Sequence, residues 1–149
     1  MAQYRDMNGV QHVVQINMKV RRRIREATEW DLLEMAHNPQ VLTGFLDAIK
    51  LDDSIVYDIL GAIEQLEPTA IEEAADGTTH EKASAALMEA IADFFPEGSP
   101  MKNGLQDLLA TVLEVQETAR RAISEQVKAA VEALDISSMA SSAAAPMNG

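Results

Sequence analysis

Apolar residues recur with one spacing along three stretches of the chain. Val41, Leu42, Phe45, Leu46 and Ile49 follow it, as do Ile55, Val56, Ile59, Leu60 and Ile63. Ala86, Leu87, Ala90, Ile91, Phe94 and Phe95 repeat it. Adjacent pairs four residues apart make a wide stripe on a helix, the kind of face that a globular core buries. Gly44 and Gly61 fall inside two of these helices, where glycine costs about 1 kcal/mol against alanine. Close approach of a neighbouring helix is one account of them, and chance is the other. A fourth stretch is narrower: Leu105, Leu108, Val112, Val115, Ala119, Ile123, Val127, Ala130 and Leu134 step by three or four. That row suits an edge helix of the core with a frayed end, or a helix that projects and pairs with another chain. Its seven-residue repeat slips after Ala119, which counts against a regular coiled coil.

Alternation with a period of two occurs only near the start, where Val14, Ile16 and Met18 share one face. Asn8-Gly9, between QYRDM and VQHVVQINM, is the preferred pair for a type I′ turn, so residues 3–18 read as a β-hairpin. One hairpin is marginal alone, so it must pack on helices or pair with another chain's strands. Capping residues divide the remainder. Asn17 suits a helix start near Met18, and Asn38-Pro39 and Ser99-Pro100 each set a cap before a proline at the first helical position. Thr28 with Asp31, Thr69 with Glu72 and Thr78 with Glu81 fit the capping-box spacing. The predicted helices lie near 18–27, 29–37, 39–50, 54–66, 70–75, 79–95 and 100–135.

The expected fold is mainly α (α+β). Residues 1–18 form a hairpin packed on or extending the domain, 19–98 a compact helical core, and 99–136 a long C-terminal helix. Residues 137–149, SSMASSAAAPMNG, are too small and repetitive to offset their ordering entropy and are left without order.

A chain of 149 residues with 47% hydrophobic content suits one domain with a real core. It has no cysteine, which removes disulfides, thiolate nucleophiles and thiolate metal sites. The opening MAQYRDMNGVQ lacks the apolar stretch of a secretory signal. No run approaches the roughly 18 apolar residues of a membrane helix. The expectation is a soluble intracellular protein with no membrane contact. A net charge of −12 disfavours general nucleic-acid binding, whose affinity rests largely on phosphate attraction.

Candidate chemistry is sparse. Glu34 and His37 form one E-x-x-H, half of a di-iron signature whose second copy is missing. His12 and His80 have no partner at zinc-ligand spacing. There is no G-x-S-x-G, P-loop or dinucleotide fingerprint. The carboxylate pairs Asp52-Asp53 and Glu72-Glu73 sit where helix N-terminal regions favour negative charge. The expectation is a protein without catalytic residues, metal or cofactor.

One charged feature stands out. VRRRIR (20–25) holds four of the seven arginines. On a helix Arg21, Arg22 and Arg25 point away from the Val20–Ile24–Ala27 stripe, and Arg23 lies on its flank. Positive charge in the first turns opposes the helix macrodipole, so local energetics would not choose it. Residues 26–100 carry seventeen acids against two lysines, a balance of −15 that can supply compensation. A protein partner and nucleic acid are the alternatives.

Two segments together, INMKVRRRIREATEWDLLEM (16–35) and KASAALMEAIADFFPEG (82–98), resemble small tail assembly chaperones encoded by tailed phages and prophages. That family has a short β segment leading into an Arg-rich R-x-x-R-E-A-T helix, and an Ala/Leu-rich helix closing with F-F-P. The resemblance spans roughly residues 12–97 and implies a non-enzymatic role in the host cytoplasm. Such proteins keep the long, helical tape-measure protein soluble until tail-tube subunits polymerise around it, and are typically absent from the finished particle. By motif match the partner-binding candidates are Arg21, Arg22, Arg25, Phe94 and Phe95, and a homo-oligomer is compatible with the row on the last helix. The long C-terminal helix lies outside the resemblance and leaves open a structural subunit of a virion or other assembly. A small nucleic-acid-binding regulator using residues 19–25 is the remaining alternative.

Overall fold

The computed structural model describes residues 2–144. Its elements in chain order are strands β1 (Ala2–Arg5) and β2 (Gln11–Val14), then helices α1 (Met18–Thr28), α2 (Leu32–His37), α3 (Pro39–Leu51) and α4 (Ser54–Glu64). These are followed by α5 (Pro68–Glu73), α6 (Gly77–Phe94) and α7 (Pro100–Ala144). The fold is mainly α with an N-terminal hairpin. The chain forms two compact units, one up to Leu109 and one from Ala110 onward. The division falls later than the expected boundary at 98 because Lys102 and Leu105, in the first turns of α7, are buried with the helical core.

The hairpin pairs antiparallel with Ala2 opposite Val14 and Tyr4 opposite His12. Those four side chains are buried, and Gln3, Arg5, Gln11 and Val13 are exposed, as a half-covered sheet requires. The turn is not type I′. That turn needs positive φ at both central residues, and of Asn8 and Gly9 only Gly9 has it, at 82°. Instead the Asp6 carboxylate accepts from the backbone N–H groups of Asn8 and Val10 at 2.9 and 3.0 Å. Gly9 N–H donates to Asp6 O at 3.0 Å. The second strand also ends at Val14, short of the expected 18: Ile16 is half-buried, and Met18 is exposed as the first residue of α1.

Helix α4 is the centre of the first unit. Val56, Tyr57, Ile59, Leu60, Gly61 and Ile63 are all buried on it. It packs against α1, α3, α5, α6 and β2, while β1 lies mainly on α6. Its wide apolar stripe is thus covered on several sides, whereas α1 buries only Val20 and Ile24. Trp30 meets Phe45 edge-on with ring centroids 5.3 Å apart, which links the α1–α2 connection to α3.

Asn17 and Asn38 cap α1 and α3 as the sequence predicts, accepting from the N–H of Val20 and Gln40. The three capping boxes do not form. Asp31 itself caps α2, accepting from Leu33 N–H, while the Thr28 hydroxyl donates back to Ile24 O. Asp76 caps α6 by accepting from Thr79 N–H, and α5 starts at Pro68 with no side-chain cap. In two of the three cases a nearby aspartate, at least as strong an N-cap as threonine, takes the position. Proline at the first helical position fixes the third.

Helix α7 continues to Ala144, through residues 137–144 that the sequence reading leaves without order. Alanine, the best helix former, recurs there at 140, 143 and 144. The rest of the expected unordered tail, residues 145–149, lies outside the described residues.

Candidate interaction surface

The arginine helix divides its own charge. Arg21 Nε and Nη2 donate to the two carboxylate oxygens of Asp31 at 2.8 and 2.7 Å, a bidentate pair largely withdrawn from solvent. Asp31 also caps α2, so this contact fixes α2 against α1. The bond from Arg21 comes first in holding the Asp31 carboxyl below its ordinary pKa, and the same bond raises Arg21. Arg23 turns the other way: its Nη2 donates to Ile63 O at 3.2 Å, in the last turn of α4, where the macrodipole favours a cation. Two of the four arginines therefore serve the fold.

Arg22 and Arg25, with Lys19, are exposed, and none of the three forms an ion pair among the described residues. The self-compensation expected of the cluster is thus limited to Asp31. Of the candidates Arg21, Arg22 and Arg25, the first is committed to the protein's own interior contacts and the other two remain on the surface. They are the part of the cluster that another molecule can reach.

Phe95 is a correction. It is only 1% exposed and ranks among the largest fully buried side chains, so it is a core residue and not a contact surface. Phe94 is half-buried against the same core. Phe95 closes α6 as its C-cap with extended backbone, and Pro96 prevents the helix from continuing. Sequence periodicity placed both rings on the buried stripe, and that signal outweighs the motif match.

Two histidines without partners in the sequence find them in the fold. Nδ1 of His12 is 2.6 Å from Glu64 Oε1, and Nε2 is 2.8 Å from Asp6 Oδ2. The ring stacks on Tyr4 with centroids 4.7 Å apart and planes 8° from parallel. The sequence carries only one hint of this: His12 stands two residues before Val14, on the buried face. Its carboxylates lie 6 and 52 residues away, beyond any motif spacing. His80 pairs with Tyr57 through Nδ1 and the phenol oxygen, 2.6 Å apart. The pair lines a cleft of about 410 Å³ with Asp53, Ser54, Glu72 and Asp76. Burial, then Asp53 and Glu72, push the Tyr57 phenol pKa upward. Among the described residues no group of three or more His, Asp or Glu side chains is placed to hold a metal ion.

The second unit contributes an open apolar row. Val115, Ile123, Val127 and Val131 on α7 are each about half or more exposed, and Leu134 reaches 69%. Glu117 and Arg121 pair along the same helix. No helix among the described residues is long and apolar enough to cross a membrane. No family model, no curated protein and no solved structure matches the chain.

Proposed function

We propose that the protein is a non-enzymatic assembly chaperone that shields a long helical partner, in the manner of the phage tail assembly chaperones its two segments resemble. The observation that carries the reading is the apolar row on α7. Val115, Ile123, Val127, Val131 and Leu134 recur at helical spacing and stand exposed. Single exposed apolar residues are ordinary, but a run of five along one helix marks an interaction site. A second amphipathic helix is the partner that matches such a row, since knobs spaced three and four residues apart fit the holes of another helix. A tape-measure protein presents long stretches of that kind. Arg22 and Arg25 supply a separate contact for acidic side chains on the partner.

The acidic body is consistent with a holding role, because net charge keeps a chaperone and its cargo from associating further. Nucleic-acid binding through Lys19, Arg22 and Arg25 is the competing reading, favoured by the exposure of those three cations.

The test is co-expression of the tagged full-length chain with the genome that encodes it, followed by mass spectrometry and the 260/280 nm absorbance ratio on one eluate. The expected result is a long helical protein in a nucleic-acid-free eluate, lost from an Ile123→Asp, Val127→Asp double variant whose Trp30 fluorescence is unchanged. Retention of that protein by the double variant overturns the assignment of the row. A nucleic-acid-rich eluate stripped by 0.5 M salt and abolished by Arg22→Glu with Arg25→Glu establishes the competing reading.

A further inference from the structure

The hairpin has little of its own to hold it in place. Two four-residue strands are marginal in water, so its position depends on what it packs against. Ala2, Tyr4 and Val14 provide apolar contact, and Ala2 and Val14 share a groove with Ala90 and Asp93 of α6. Two polar ties join it to the helices: Met7 N–H donates to Ala74 O at the end of α5 at 3.0 Å, and the other, the one that can titrate, is His12. Its two nitrogens engage Asp6 in the hairpin turn and Glu64 at the end of α4, so one ring joins the turn, the strand and the central helix. The side chains of His12, Asp6 and Glu64 are all nearly withdrawn from solvent.

A ring with both nitrogens on carboxylates donates twice only as the imidazolium. Loss of its proton would leave one nitrogen lone pair against a carboxylate. It would also remove the only cation bonded to Glu64 among the described residues, and Glu64 Oε2 is already buried without a partner there. A buried carboxylate without a counter-ion is strongly disfavoured, and moving the hairpin aside is the way to rehydrate it. We infer that His12 is a pH-sensitive latch, which in its charged form fastens the hairpin to α4 and on losing its proton lets the hairpin swing free of the helical core.

The groups around the ring fit that role. Asp6 faces it from the turn and Glu64 from α4, and Tyr4 stacks on it from β1 with its own hydroxyl buried and unpartnered. Burial strongly raises the Tyr4 pKa, so the phenol stays neutral and cannot substitute as a charge. Arg23 of α1 reaches the end of α4, where its guanidinium donates to Ile63 O. Burial opposes the charge on His12, but the bonds to Asp6 and then Glu64 outweigh it and hold the pKa above its ordinary 6.5. The latch is therefore closed below about pH 6.5 and weakens as pH rises through the raised value. Each unit between the latched and free pKa values changes the latch equilibrium tenfold.

Hydrogen exchange on the full-length protein tests this, with labelling times scaled to the intrinsic rate at each pH and hairpin amides normalised to those of α3. The expected hairpin-to-α3 protection ratio is level from pH 5 to 6.5 and falls several-fold by pH 9. A His12→Phe variant keeps the stacking partner but loses the charge, so its ratio starts low and does not vary with pH. A level wild-type ratio up to pH 9 overturns the latch, as does a fall of equal size in His12→Phe. Glu64→Gln provides a second reading that does not depend on the behaviour of His12→Phe. It should move the fall to lower pH, and an unmoved midpoint also overturns the proposal. An NMR titration of the His12 ring at or below 6.5 in the wild type would do the same.

Discussion

Glycine at position 61 offers a sharp test of how the first unit is packed. In most helix interiors Gly→Ala stabilises by about 1 kcal/mol, through propensity alone. At Gly61 a Cβ would lie 2.8 Å from Leu66 O and 3.2 and 3.3 Å from Cγ and Cδ of Pro68. Neither neighbour can move freely. The carbonyl belongs to a chain reversal in which Gln65 is left-handed at φ 57° and Leu66 N–H donates to Gly61 O at 3.1 Å. Pro68 is the first residue of α5. Overpacking of this kind costs about 1–3 kcal/mol, and a backbone oxygen as obstacle favours the upper part of that range. Setting the propensity gain against it leaves Gly61→Ala destabilised by about 1–2 kcal/mol, or about 4–9 °C in Tm for a unit of this size.

Gly44 is the built-in control. Its added Cβ would meet only Cη2 of Trp30, at 3.9 Å, an ordinary contact. Gly44→Ala should therefore stabilise by up to about 1 kcal/mol. Urea titrations of both variants, followed by ellipticity at 222 nm and by fluorescence of the single tryptophan, Trp30, measure the difference. The opposite signs are the content of the prediction. Gly61→Ala as stable as wild type, or Gly44→Ala the less stable of the two, would refute the account of the α4–α5 reversal.

Gln65 and Glu29 hold left-handed backbone at φ 57° and 70°, so Gln65→Gly and Glu29→Gly should each stabilise by about 0.5–1 kcal/mol, read as a higher urea midpoint. Phe95→Ala should cost about 3–5 kcal/mol of stability, and Phe94→Ala clearly less; equal urea midpoints for the two would contradict their different burial. On the acid side, Asp6, Asp31 and Asp76 are all held below their ordinary 3.8, chiefly by His12, Arg21 and the Thr79 backbone N–H respectively. The stability they contribute is present above about pH 3.8 and is lost as pH falls through the lowered values. The urea midpoint should fall over that interval, less steeply in Asp31→Asn, and an unchanged slope in that variant would exclude the Arg21 pair as a cause.

The helices were the legible part of the fold. A wide stripe of Val, Leu, Ile and Phe leaves few alternatives, and α3, expected at 39–50, spans Pro39–Leu51. Asn17 and Asn38 were readable as caps because a short amide side chain reaches its own helix start. The hairpin turn was misread because Asp6 outside the Asn8-Gly9 pair organises the loop. Tertiary pairing was the least legible. Four arginines in one run look alike in sequence, yet Arg21 and Arg23 are assigned by where Asp31 and Ile63 O arrive. Only the folded chain separates them from Arg22 and Arg25. His12 shows the same limit, since its Glu64 partner is brought to it by α4 and not by any spacing.

Among the described residues, the last buried apolar side chain of the core is Leu105, and the exposed row on α7 begins beyond it. Staying folded and presenting an apolar surface therefore draw on separate sets of residues. A change at Ile123 or Val127 opens no cavity, and under the proposed function it would alter only what the helix grips, leaving this segment free to diverge with its partner. Residues such as Phe45, Leu60 and Ile91 have no such freedom, because each change there is felt by the whole first unit. The protein's rate of sequence change should accordingly step upward near position 110, a signature to be sought in any set of its relatives.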